Sequence, residues 1–283
     1  MSVLCSKLRS LTVLCLLAWP CLLPADALAH DDRSFLGRWV GATGDIGVEY
    51  FRWQEFDSRG RRLLTEQGPR YVMEAFVGNG FRRGWLPLYG IKLRGYVGDV
   101  DYDGQDSNRI FTSSDTTYRG WNVETQTGVR VPIAGTFSLD MLLAAGIDDW
   151  RRDIDNSINA NGDPVGGFAE NYTVKYGRIG LGALWRAGRV HHYLQVGAKR
   201  PWSIDEDPGA LNISLSPGKK WSAYLSYEMR FRRLWVGRPF IRLYYDSFRF
   251  SKSPSEQLQG TTSFVHQPES DLDMLGVSFG YAL

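Results

Sequence analysis

Between Trp221 and Arg232 the side chains alternate in character without a break. Trp221, Ala223, Leu225, Tyr227, Met229 and Phe231 share one parity, and Ser222, Tyr224, Ser226, Glu228, Arg230 and Arg232 share the other. Successive side chains of a β-strand point to opposite sides, so this stretch makes a strand with one apolar face and one polar, charged face. The same period recurs. Phe137, Leu139, Met141, Leu143, Ala145 and Ile147 alternate with Ser138, Asp140, Gly146 and Asp148, though Leu142 and Ala144 break the polar side; Ile241, Leu243 and Tyr245 alternate with Arg242, Tyr244 and Asp246. Trp121, Val123, Val129 and Val131 alternate with Asn122, Glu124, Gln126 and Arg130, and Leu194, Val196 and Ala198 with Tyr193, Gln195 and Lys199.

Reading this period along the chain predicts strands over 45–56, 69–81, 88–102, 117–131, 136–150, 170–186, 190–202, 220–233, 239–251 and 271–283. The connections alternate in length. Those at 57–68, 103–116, 151–169, 203–219 and 252–270 are long and polar, whereas those at 82–87, 132–135, 187–189 and 234–238 are short. A water-soluble sandwich has no reason to gather its long connections at one end. A transmembrane barrel does, with short turns on the periplasmic side and long loops outside. The expected fold is therefore all-β: a closed antiparallel up-and-down transmembrane barrel of about ten strands.

The N-terminus agrees with export. Lys7 and Arg9 precede an apolar run from Leu11 to Leu23, and Ala27-Leu28-Ala29 forms a small-residue cleavage site. Residues 1–29 are expected to be a signal peptide and 30–283 the barrel. A retained anchor needs ~20 apolar residues, and this run is shorter and interrupted by Pro20. A lipoprotein site at Cys21 needs a small residue before it, where Trp19 and Pro20 stand. Cys5, Cys15 and Cys21 all fall in the expected leader, so no disulfide or thiol chemistry is expected in the remainder.

Composition is compatible without being decisive. Aromatics make up 13% of a chain that is only 43% hydrophobic, which suits rings shown to lipid around a polar lumen, although a soluble sandwich shares it. The net charge of +2 gives no reason to expect a nucleic-acid partner. Aromatics are expected at both rims: Trp85, Tyr89, Phe137, Trp185, Trp235 and Tyr281 at the short-turn ends, and Trp150, Trp202 and Trp221 at the long-loop ends.

The last strand carries Leu275, Val277, Phe279, Tyr281 and Leu283 on one face, with Gly276, Ser278, Gly280 and Ala282 between. It resembles the C-terminal signal strand of bacterial outer-membrane barrels, with Leu283 in place of the commoner terminal Phe. With the leader and the loop rhythm, the whole chain resembles the superfamily of small outer-membrane β-barrel proteins. The resemblance implies an outer-membrane location among lipid and lipopolysaccharide. It also implies recognition of Leu275, Val277, Phe279, Tyr281 and Leu283 by the barrel-assembly machinery.

Enzymatic barrels supply tests. Outer-membrane phospholipases and lipid A deacylases resemble one another in a His followed two residues on by a Ser, a base beside its nucleophile. Here His191 is followed by Tyr193, His192 by Leu194 and His266 by Pro268, and His30 begins the expected mature chain. The omptin proteases set an Asp pair against an Asp-His pair at the outer rim. Asp99 and Asp101 resemble the first pair and Asp205 or Asp207 half of the second, with no histidine nearby. Asp99-Val-Asp101-Tyr-Asp103-Gly104 matches the first half of a calcium loop but has Ile110 where the bidentate Glu belongs. Asp99, Asp101 and Asp103 are thus a weak calcium candidate, with a solvated strand end as the plainer reading. Asn159-Ala-Asn161-Gly162-Asp163 reads first as an Asn-Gly turn.

The polar face is the informative set. Glu49, Glu74, Lys92, Arg94, Glu124, Arg130, Asp140, Arg178, Lys199, Glu228, Arg230, Arg242 and Asp246 are expected to point inward. About eight strands leave an interior just wide enough to be filled by side chains, and ten are close to that limit. A charge network of Glu124, Arg130, Asp140, Arg178, Glu228, Arg230, Arg242 and Asp246 is expected to plug the lumen, with Glu228 and Arg230 across from Arg242 and Asp246. The functional expectation is a non-enzymatic barrel without cofactor, structural or ligand-presenting. A narrow porin-like solute channel is the alternative, and a surface hydrolase a more distant one. N-terminal sequencing of the protein recovered from outer membranes should begin at His30; a retained leader would overturn the assignment.

Overall fold

The computed structural model describes residues 41–79, 86–105, 108–209, 213–232, 237–258 and 260–283. The expected leader and cleavage site, Trp85 and Trp235 lie outside them. Ten long antiparallel strands make the wall: β1 (Gly41–Phe56), β2 (Arg62–Gly78), β3 (Leu86–Gln105), β4 (Phe111–Ala134), β5 (Phe137–Ile154), β6 (Ala169–Ala187), β7 (Val190–Asp207), β8 (Ser222–Arg230), β9 (Arg238–Ser251) and β10 (Glu269–Ala282). Each pairs with its neighbours in sequence, and β10 pairs with both β9 and β1. The pairing runs from Thr43–Ala282 to Phe56–Glu269 across the β1–β10 seam. The ring is closed, as hydrocarbon demands: no water there can satisfy an open sheet edge. A two-residue strand, Gly218–Lys219, adds to the loop end of β9, and two-residue ribbons decorate the β5–β6 and β9–β10 loops.

All ten predicted strands are present, but several run farther than the sequence pattern indicated. β2 starts at Arg62 instead of 69 and β4 at Phe111 instead of 117. The expected long loop 57–68 is a tight turn over 57–61, closed by the Asp57 and Arg61 backbones and by Gly60 at φ 72°. There the backbone N–H groups of Arg61 and Arg59 and the Arg61 guanidinium hold the Asp57 carboxyl below its ordinary range.

The reason for the longer strands is a reversal of polarity along the wall. On β1 the outward residues Ile46, Val48 and Tyr50 are exposed and apolar, and then Arg52 and Gln54 take the same face. On β3, Tyr89, Ile91 and Leu93 give way to Asp99, Asp101 and Asp103; on β5, Leu139, Met141 and Leu143 give way to Asp149, Arg151 and Asp153. On β10 the exposed Leu275 and Phe279 lead up to Asp273, which pairs with Arg52 at 2.8 Å and with Arg249 at 2.5 Å. Inward residues change in the opposite sense, from Asp45 and Glu49 to Phe51 and Trp53 on β1. The lower wall is thus a lipid-facing barrel with a polar inside, and the upper wall stands in water around an apolar core. This closed barrel with an outward apolar band is an outer-membrane protein fold.

Trp150 departs from its expected place in the rim. It lies on the inward parity of β5, 3% exposed, because Leu139 to Ile147 occupy the outward one. Trp202 and Trp221 do face outward, 50% and 60% exposed.

The face assignment generates a direct comparison. Leu225 is outward and 43% exposed, and its neighbour Ser226 borders the lumen. Leu225→Arg places a charge in lipid at a cost of ~2–4 kcal/mol near mid-membrane. It should slow or block folding into lipid vesicles far more than Ser226→Arg does; equal defects would contradict the assignment.

Candidate functional site

Every inward charge named from the sequence lies on the inward parity of its strand; register sets some of the pairs, and the others form across the lumen. Near the short turns, Glu228 on β8 stands opposite Arg242 on β9. The carboxylate receives Arg230 at 2.6 Å and Arg242 at 3.2 Å, while Arg242 also reaches Asp45 at 3.2 Å and Glu74 on the far wall. Arg130 and Asp140, cross-strand neighbours on β4 and β5, form a two-pronged pair at 2.6 and 2.7 Å with both side chains fully buried. The Tyr193 hydroxyl donates to the same carboxylate at 2.9 Å.

Higher up, Glu124 accepts from Lys92 at 3.1 Å, Arg178 at 2.9 Å and the Tyr176 hydroxyl at 2.9 Å. Asp246 meets Lys199 at 2.7 Å, not Arg230 as the residue order suggested, because Arg230 is in register with Phe240. Glu49 gathers Arg70 at 2.6 Å, Arg94, and the Tyr244 hydroxyl at 2.9 Å. A polar cavity of about 120 Å³ remains between these groups on the short-turn side, bordered by Glu74, Lys92, Glu124, Arg178, Glu228 and Arg242.

Above Glu49 the lumen closes on rings. Trp150 stacks on Tyr172 with centroids 5.0 Å apart, Trp53 packs against Tyr172 at 5.5 Å and Phe250 at 5.9 Å, and Phe51 meets Tyr118 at 4.5 Å. Cations tie the two regions together. Arg70 lies over Phe51 at 4.0 Å, and the Lys199 ammonium over Phe248 at 3.4 Å, where the ring quadrupole attracts the charge. Tyr224 is seated because Gly180 and Gly197 have no side chains: a Cβ on either would lie 2.0 or 2.6 Å from its hydroxyl oxygen.

Sequence reasoning missed the buried centre of the upper core. Arg152 holds Glu66 at 2.8 Å, Glu170 at 2.7 Å and Glu55 at 3.4 Å. Trp53 and Gln267 each donate to Glu55 at 3.0 Å, and Tyr118 donates to Glu66. Extending the inward parity from Glu49 by twos reaches Glu55, and from Glu74 reaches Arg70 and Glu66. The signal existed, but the intervening Phe51 and Trp53 reverse the expected polarity.

The remaining candidates do not converge. Asp99, Asp101 and Asp103 sit in the extended strand β3, on its outward face, the strand end that was the plainer reading. The segment pairs with β4 through Asp101–Asp115 instead of curling around an ion, and Thr117 donates to Asp99 at 2.7 Å. Among the described residues, no group of three or more His, Cys, Asp or Glu side chains is arranged for a metal. Asn159 does make the expected turn, accepting the Asn161 and Asp163 N–H groups at 2.9 Å, with Gly162 at φ 89°. His192 bonds Tyr227 at 2.8 Å and stacks on Trp185 at the short-turn rim. His266 lies at the opposite end, exposed, its imidazole pushed down by partial burial and by Lys252.

No family model matches the chain, and no curated protein does. Solved structures do. The outer membrane protease OmpT from Escherichia coli is similar over 89% of this chain and 99% of its own, with a TM-score of 0.54 and 9% identity. The transport unit of the autotransporter AIDA-I from Escherichia coli covers 91% of this chain and 94% of its own at a TM-score of 0.43 and 9% identity. The outer membrane protein AlkL covers 86% of this chain and 90% of its own at 0.36 and 14%. At 9% identity the likeness to OmpT shows the fold alone: this chain has the architecture of an outer-membrane β-barrel.

Arg152→Met should destabilise the barrel by ~3–5 kcal/mol, because it leaves buried carboxylates without their shared counter-charge. Urea unfolding of the barrel in lipid vesicles measures this. A loss of less than about 1 kcal/mol, the range of exposed pairs, would mean that the cluster is hydrated.

Proposed function

We propose that this protein is a non-conducting, non-enzymatic barrel of the outer membrane that presents its raised outer rim to the surroundings. The observation that carries the reading is the continuous filling of the lumen. Ion pairs occupy it from Arg230 and Glu228 up to Glu49, and the rings of Phe51, Trp53, Tyr118, Trp150 and Tyr172 occupy it above. The 120 Å³ cavity has room for only a few waters and lies beneath the Glu49–Arg70 layer. A buried guanidinium clasped on two sides is a poor relay for passing ions, since leaving its partner costs several kcal/mol.

Support for a presented surface comes from the loop end. Phe111, Ile158 and Phe264 are 55%, 67% and 64% exposed there, on segments fixed by the Thr112–Asn159 bridge and by the Gln257–Phe264 pairing. Of these, Phe111 and Ile158 stand on adjoining segments, and a contiguous exposed apolar patch marks a contact surface. The likeness to a protease is one of fold and lends no support to a catalytic reading.

Single-channel recording in planar bilayers tests the reading. Wild type should add no steady conductance to the protein-free leak. Arg242→Ala should stay silent too, because it enlarges the inner cavity beneath an intact ring layer. Openings should appear only when Arg70 and Trp53 are truncated together. Steady wild-type conductance altered by Arg242→Ala would establish the channel instead.

A further inference from the structure

The outward face of the wall carries a groove of about 540 Å³, lined by Gly177, Ile179, Arg200, Trp202, Lys219 and Trp221. Its geometry follows from a single irregularity. Tyr176 pairs with Pro201 and Lys175 with Ser203, so Trp202 is an extra residue in β7, unpaired with β6. Such a bulge re-aims a side chain. The indole leans over Gly177, where an added Cβ would stand 3.4 Å from its Cζ3. Trp221, just before β8, forms the other side. The guanidinium of Arg200 lies 5.7 Å from the Trp221 ring, and Lys219 is held beside it by the pairing of Gly218–Lys219 with Ser251 and Phe250.

Two further observations point to what the groove takes. The first is depth. Below it on the same face are Ile179, Val196 and Leu225, 54%, 49% and 43% exposed, and above it are Lys175 and Asp205. The groove therefore spans the level where the wall passes from hydrocarbon into the headgroup layer. The second is charge. Lys220, the next residue after the Gly218–Lys219 strand, meets Glu269 at 2.6 Å. Arg200 and Lys219 form no ion pair among the described residues, although both stand over an apolar floor.

We infer that the groove is a binding site for one membrane lipid with a net-anionic phosphorylated headgroup. The phosphate lies between the Arg200 guanidinium and the Lys219 ammonium, both suited to charge-assisted bonds to phosphate oxygens. The first methylenes of an acyl chain run down between the two indoles, over Gly177 and along Ile179. Aromatic rings with an apolar body and a polar N–H suit this interface. The inference rests on the outer-membrane fold and is independent of whether the lumen conducts.

Native mass spectrometry of the full-length mature barrel, released from detergent containing phosphatidylglycerol or phosphatidylcholine, tests it. One retained phosphatidylglycerol per barrel is expected, with little phosphatidylcholine. Arg200→Gln with Lys219→Gln should lower retention about tenfold or more, since bonds to charged groups are worth over one factor of ten. Gly177→Leu, which keeps both cations, should lower it by filling the floor. Arg119→Gln, removing an outward cation elsewhere on the wall that pairs with Asp153 at 3.6 Å, should have no effect. Unchanged heat-modifiable mobility on gels shows that each variant is folded. Equal retention of both lipids, undiminished retention in the double variant, or capture of inorganic phosphate without preference for lipid would each overturn the inference.

Discussion

The constraint on which the rest of this molecule depends is that a strand in hydrocarbon can leave neither its backbone unpaired nor its outward side chains polar. Closing the sheet between β10 and β1 meets the first requirement, and the outward apolar parity from Ile46 to Leu283 meets the second. Strand geometry then dictates the interior. Because the period is two, giving one parity to lipid leaves the other to a lumen only about as wide as its own side chains. That volume has to be filled by whatever the inward parity supplies. Here it supplies pairs such as Arg130–Asp140, already cross-strand neighbours in register, so the counter-charge comes with the fold.

The same strands obey the opposite rule once they leave the bilayer. Above Tyr50 and Leu275 the outward face needs no lipid compatibility, and Arg52, Arg249 and Asp273 occupy it as a mutual ion-pair set. Inside, burial of rings becomes the cheaper solution, and Trp53, Trp150, Tyr172 and Phe250 make a core of the kind found in water-soluble barrels. Arg152 is the exception within that core. It is retained with three carboxylates around it, and its several bonds reach from β5 to β1, β2 and β6. A cluster of this kind fixes the relative positions of four strands in a way that interchangeable rings do not, because each carboxylate has a single place where it is satisfied.

This division explains what could be read from the chain and what could not. The lipid-facing part was legible, since an outward apolar parity over Leu139, Met141 and Leu143 or over Ala223 and Leu225 is a period-two signal that nothing else imposes. Strand existence and inward placement of residues such as Glu124 and Arg242 followed from it. The upper wall was illegible for the same reason. Its alternation has polar residues outward and aromatic ones inward, so a reading tuned to the lower wall ended β1's partner too early and placed Trp150 on the wrong face. Partner choice was also hidden. Lys199 and Asp246 lie on strands separated by β8, and their meeting depends on the curvature of a closed ring, which no local pattern encodes.

Why the inward parity should be charged at all, instead of apolar like the outward one, follows from the state before insertion. A strand with two apolar faces, high β-propensity and no charge is prone to pair with other copies of itself. Such a chain would have to cross an aqueous compartment with ten of these segments exposed. Placing Glu228 and Arg230 on β8, or Arg130 and Asp140 across the β4–β5 turn, keeps each hairpin charged and hydrated until the sheet closes. Closure then removes these groups from bulk water together with their partners, so that desolvation is offset by ion pairing at the same step. The lumen network is in this view a consequence of assembly as much as a seal, and the aromatic upper core can be apolar because it forms on strands whose outward faces already carry the charge.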